Sequence, residues 1–228
     1  MTADTWKPSD PPTLAEDLLL LLFQPRSGTI AGENTLFYVL AGAVFADLAL
    51  GGHLATTAKG RIGGVADHVP SDDLLRSTWD YVSEKPRSAQ TVLAAIGPGL
   101  RQPVLDRLVR RGDIREEART VLGLFRSTTL RDGDTDRRAR LLAEVREVLV
   151  EGAEPPVRVA ALAALLSASG TLPQFDHEIP WTSPVIKRAK DLEQGDWGAT
   201  AAAEAVTRTV TATVVNSAVA AITVLPRS

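Results

Sequence analysis

The sequence predicts a mainly α fold, a single globular domain of about nine helices with two small β-hairpins, covering residues 13–228 behind a disordered segment at residues 1–12. Three observations lead there. The composition, 44% hydrophobic and 23% charged over 228 residues, supports one sizeable core. Helix starts and stops are punctuated along the whole length by Ser, Thr and Asp caps and by glycines. Hairpin patterning replaces helical spacing of apolar residues in two windows, 53–66 and 114–130, and residues 171–183 form a proline-broken connection.

Thr13 followed by Glu16 has capping-box spacing and opens a first helix through Leu18–Phe23, bounded by Pro25. Residues 35–50 form a second helix, apolar on nearly every side except Asp47 and stopped by Gly51-Gly52, so it belongs at the centre of the core. Residues 53–57 and 61–66 read as a hairpin. Ser71-Asp72-Asp73 caps a helix to about Lys85, Ser88 opens another to Gly97, and a fifth runs from Pro98 to Arg111, closed by Gly112. The β-prone stretch 120–125 marks the second hairpin. Residues 134–150 form an Arg/Glu-rich amphipathic helix, Pro155-Pro156 starts an Ala/Leu helix ended by Gly170, and Ser183-Pro184 starts a helix to Glu193. The Ala/Val/Thr-rich segment 199–225 reads as a buried terminal helix, because Arg208, Asn216 and repeated Thr suit a bilayer span poorly.

Several function classes fall away. Net charge is −3, with 28 acids against 25 basic residues, which gives no global field toward nucleic acid. There is no cysteine, hence no disulfide or thiolate nucleophile. Asp176-His177-Glu178 flanks an imidazole with carboxylates, but consecutive residues rarely converge on one ion, and the other histidines, His53 and His68, lie in a distant segment. Gly97-Pro98-Gly99 lacks the rest of a nucleotide-binding loop and reads as a helix junction. No catalytic motif is found, and no enzyme activity, metal or cofactor is expected. Local charge is more informative: residues 100–146 hold twelve arginines and no lysine against eight acids, and Arg107, Arg110 and Arg111 lie on adjacent turns of one helix. Interleaved acids make a solvated face the plain alternative to an anion-binding one.

The segments Leu14 to Leu21, Leu40 to Leu54, Leu100-Arg101, Leu105 to Ile114, Leu122 to Phe125 and Arg158 to Ser169 resemble the Golgi phosphoprotein 3 family, especially its bacterial members, over roughly residues 13–225. The resemblance implies a mainly helical domain, peripheral on membranes, that binds phosphatidylinositol 4-phosphate. The family's head-group positions, a Trp, an Arg and an Arg-x-x-Arg pair, align with Gly32, Ala41, Pro98 and Arg101. Arg101 is therefore the expected phosphate contact, with Arg107, Arg61 and Arg26 as the arginines that would complete a pocket. The family's membrane and oligomer hairpin corresponds to residues 120–129, with Leu122, Leu124 and Phe125 as apolar tips. The expected partner is an anionic phospholipid surface, with homo-oligomerisation through this hairpin. The expected location is cytoplasmic, on the inner face of the cell membrane. The alternative is a protein-interaction adaptor without lipid binding.

Overall fold

Helix α1 (Leu14–Leu22) is buried along its entire length, which a nine-residue run with five leucines in a row permits only at the centre of a helical assembly. The computed structural model describes residues 7–121, 125–194 and 212, with the side chains of residues 119–127 outside the description. The capping box is formed: the Glu16 amide donates to Thr13 Oγ1 at 3.2 Å, and the Thr13 amide to Glu16 Oε2 at 2.8 Å. Against α1 pack α2 (Leu36–Leu50) and α7 (Val157–Ala168), also mostly buried. These three apolar helices are the core, as the uninterrupted hydrophobicity of residues 35–50 predicts.

Around it lie α3 (Asp73–Glu84), α4 (Ala89–Ile96), α5 (Arg101–Arg111), α6 (Arg137–Arg146) and α8 (Ser183–Glu193). Asp72 and Ser88 cap α3 and α4, and Gly112, at φ +78°, takes the left-handed turn that ends α5 and is strained for a side chain. The helix expected from Pro98 begins later, because Gly97–Gly99 form a tight 3₁₀ turn before Arg101. Eight α-helices thus stand among the described residues. The ninth, expected at 199–225, lies outside them apart from Ala212, which is helical.

Among the described residues three hairpins are present where two were expected. The expected pair are β3 (Leu54–Thr56) with β4 (Ile62–Gly64), and β5 (Ile114–Val121) with β6 (Phe125–Asp132). The additional one joins β1 (Phe23–Gln24) to β2 (Thr29–Ile30), strands too short to show alternation. The β5–β6 ribbon is longer than the 120–129 hairpin expected. Its eight-residue strands pair only with each other, so β5 runs about 24 Å from Ile114 to Val121.

Candidate functional site

Arg101 and the turn that holds Pro98 lie against α2 and the loop that precedes it. The 3₁₀ turn at Gly97–Gly99 packs on α2, where a Cβ on Gly97 would lie 2.6 Å from the Phe37 carbonyl oxygen. Arg101, at the start of α5, reaches the loop after β2, where its Nη2 donates to Glu33 Oε1 at 2.9 Å and its Nε to Glu33 Oε2 at 3.3 Å. Both partners are about half exposed. Gly32, next to Glu33, has φ +69°, and a Cβ there would meet Thr171 Cγ2 at 2.7 Å, so this backbone has no room for the aromatic ring the family places there. Ala41 is fully buried, and Pro98 has no donor to offer. One cation remains, held by an internal carboxylate.

The other three candidate arginines are not gathered around Arg101. Arg61 sits in the exposed β3–β4 turn, its amide bonded to Thr57 Oγ1 at 3.2 Å. Arg107 is a correction: expected beside a head group, it is 2% exposed, and its forked guanidinium holds Asp72 (Nη1–Oδ2, 2.8 Å), Asp73 and Glu16 (Nη1–Oε2, 3.6 Å). Burial alone would lower its pKa, but the bond to Asp72 and the charges of Asp72, Asp73 and Glu16 more than offset that and raise it. Asp72 faces both ways, since its Oδ1 also caps α3 through the Leu74 amide at 2.9 Å.

Arg107 belongs to a network that consumes much of the apparent arginine surplus. The two carboxylates inside α1 each receive two arginines. Glu16 takes Arg107 and Arg111 (Nε–Oε1, 2.6 Å), while Asp17 takes Arg137 (2.5 Å) and Arg158 (2.7 Å). Arg137 also pairs with Asp113, which accepts from Thr135 Oγ1 at 2.5 Å and ties the ribbon's base to α6. Arg158 continues to Asp47 on α2 at 2.9 Å, and the Leu14 amide donates to the same carboxylate at 2.5 Å. Despite these partners, burial pushes the Asp47 carboxyl up to about 7. The lead-in is engaged from residue 8, where Arg111 Nη1 donates to the Pro8 and Asp10 carbonyls and Arg158 Nη2 to that of Pro12. A cavity of about 490 Å³ lies over this region, but Asp10, Asp47 and Asp72 line it against Arg158 alone, a lining that repels anions.

Arg26 has a different setting. It stands in the β1–β2 turn at the mouth of a cavity of about 270 Å³, shared with Arg138, His177 and Glu178. His177 stays exposed there, and Asp176 turns away to accept the Trp181 amide at 2.8 Å. Among the described residues no group of three or more metal-ligating side chains converges. Arg138 was not singled out in the sequence: beside Arg137 on α6, nothing in the local pattern separates the neighbour that enters the network from the one that faces the cavity. Glu33 was overlooked too, because its partner lies 68 residues away. Leu122 and Leu124, the expected hairpin tips, lie outside the described residues; Phe125 begins β6, and its side chain is likewise outside the description.

A mainly α domain with a projecting two-stranded ribbon and a loop–helix corner carrying Arg101 defines the class of protein. The model of the Golgi phosphoprotein 3 family matches residues 14–209, and the chain belongs to that family. No curated protein matches it.

Proposed function

We propose that this protein is a non-enzymatic peripheral module that attaches reversibly to anionic membranes by surface charge, without a pocket selective for the 4-phosphate of phosphatidylinositol. The observation that carries this reading is the Arg101–Glu33 pair beside Gly32. An exposed pair of this kind is worth at most about 1 kcal/mol, so a lipid phosphate can displace Glu33. Once displaced, the freed carboxylate stays nearby and cancels the local field. Family membership supports a role at a lipid surface, and the ribbon supports an apolar anchor. Leu122, Leu124 and Phe125 at its end would enter the bilayer interface or a second copy of the chain. Among the described residues no helix is long and apolar enough to cross a membrane. Attachment on the inner face of the cell membrane completes the proposal.

Arg101→Glu tests it. The variant should fold normally and co-sediment less with vesicles containing phosphatidylserine; co-sedimentation equal to that of the unaltered chain contradicts the assignment of Arg101. One observation favours the adaptor reading instead. So many arginines are satisfied internally that the exposed Trp181, beside an apolar cavity of about 250 Å³ between α7 and α8, is a rival contact surface. Failure to bind anionic vesicles of any composition at low salt would favour that reading.

A further inference from the structure

The cavity beside Arg26 is built by three separate pieces of chain. The β1–β2 turn supplies Gln24, Pro25 and Arg26, α6 supplies Arg138, and the loop after α7 supplies Gln174, Phe175, His177 and Glu178. Its walls are fixed. Gln24 Nε2 donates to Gln174 Oε1 at 2.8 Å, Phe175 is buried beneath, and a Cβ on Gly28 would lie 2.6 Å from the Leu130 carbonyl oxygen, so the turn sits directly on β6.

Arg138 is the unusual member. Its Nε donates to the Phe23 carbonyl at 3.0 Å, which orients the guanidinium, while neither Nη atom has a hydrogen bond or ion pair among the described residues. Burial lowers its pKa, and Glu178 and Asp132 only partly compensate from a distance. Arg26 likewise has no ion pair among the described residues. A half-buried guanidinium with no carboxylate at hydrogen-bonding distance among the described residues is costly unless something occupies the space it faces. The neighbour of Arg138, Arg137, also half-buried on α6, is by contrast matched by Asp17 at 2.5 Å and by Asp113.

From this juxtaposition we infer that the cavity binds a phosphate monoester, its tetrahedral oxyanion held by Arg138, Arg26 and His177. Three donors arriving from three chain segments suit an oxyanion with three terminal oxygens better than a planar carboxylate, and arginine's fork grips two of those oxygens at once. The Gln174 side-chain amide, whose oxygen is already occupied by Gln24, is left with its NH₂ as a further donor. Glu178 opposes a bare anion but accepts from a hydroxyl, which selects an ester carrying a hydroxyl next to its phosphate. A volume of about 270 Å³ fits such a small ester. None of the positions aligned with the family's head-group site lines this cavity, so the inference does not depend on the membrane reading above.

Isothermal titration of the full chain with glycerol 3-phosphate and with inorganic phosphate, in 0.15 M NaCl, tests the site. The same chain is also sedimented with phosphatidylcholine vesicles carrying lysophosphatidic acid, which presents the same monoester, with its neighbouring hydroxyl free, on a lipid. Glycerol 3-phosphate should saturate a single site and bind more tightly than inorganic phosphate. Arg26→Gln, at an exposed position with no side-chain hydrogen bond or ion pair among the described residues, and Arg138→Gln should each weaken binding about tenfold or more. Arg138→Lys, which keeps the charge but loses the fork, should not restore it. Binding confined to lysophosphatidic acid vesicles, and lost in Arg26→Gln, assigns the same site to a lipid-borne monoester. No saturable binding by either route, or binding unchanged by Arg26→Gln, overturns the inference.

Discussion

Arg107 and Arg138 stand on α5 and α6 in the same arginine-rich stretch, yet the structure treats them in opposite ways. Arg107 is closed off from solvent and matched by three carboxylates drawn from α1, α3 and the cap of α3. Arg138 is half-buried, anchored through a single backbone carbonyl, and faces open space. A count of arginines therefore says little about available positive charge. That depends on whether the fold brings acids from distant segments to each guanidinium, and around α1 it does so repeatedly.

The sharpest way to break this contrast is to remove Arg107. Arg107→Met leaves Glu16 and Asp72 facing each other with fewer cations, and uncompensated buried charge of this kind costs about 3–5 kcal/mol, read as a lower urea midpoint. Arg138→Gln should cost well under half as much, because it removes one hydrogen bond and a charge that nothing internal requires. Equal losses at the two positions would mean that Arg138 is as structural as Arg107.

Asp47 offers a test of the same network through pH. The unfolded chain releases this proton near the ordinary value of 3.8, whereas the folded chain retains it until about 7. Between those values the folded state binds more protons, so raising the pH across the window weakens the fold, and above about 7 the contribution is gone. Urea unfolding of the unaltered chain and of Asp47→Asn at pH 5.5 and pH 8 should show a smaller fall for the variant. An identical fall in both would place the sensitivity elsewhere.

Much of the fold was legible because helix ends announce themselves locally. Thr13 with Glu16, Asp72, Ser88 and Gly112 act within a few residues of their own backbone, and each performs the expected role. The β1–β2 hairpin was not legible, since a two-residue strand has no period to read. The burial of Glu16 and Asp17 had a signal that went unused: a leucine run apolar on all faces forces its two acids inward, and inward acids demand arginines. At the site, aligned positions located the corner at Gly32 and Arg101, but the partner that neutralises it was invisible. Glu33 is an ordinary loop residue until the fold sets it against α5.

Two smaller effects sharpen the contrast between internal and available charge. Replacing Leu122, Leu124 and Phe125 by Ser should abolish membrane or oligomer association, each apolar side chain contributing about 1.5–3 kcal/mol where it inserts, with the melting temperature nearly unchanged. A large fall in melting temperature would assign them to the protein's own core. Glu33→Gln frees Arg101 without touching the interior. Since one basic residue near an anionic surface is worth about 1 kcal/mol, this variant should bind phosphatidylserine vesicles a few-fold more tightly at low salt. No gain would mean that Arg101 does not face the membrane.

The central claim, attachment by surface charge in place of head-group recognition, is tested most directly by co-sedimentation with two sets of vesicles matched in surface charge. One set carries phosphatidylinositol 4-phosphate and the other phosphatidylserine, each measured from about 0.1 M to about 0.5 M NaCl, where the screening length falls below about 5 Å. The account predicts equal binding to both at low salt and loss of both as salt is raised. Tight binding to the 4-phosphate vesicles alone, persisting at about 0.5 M, would contradict it.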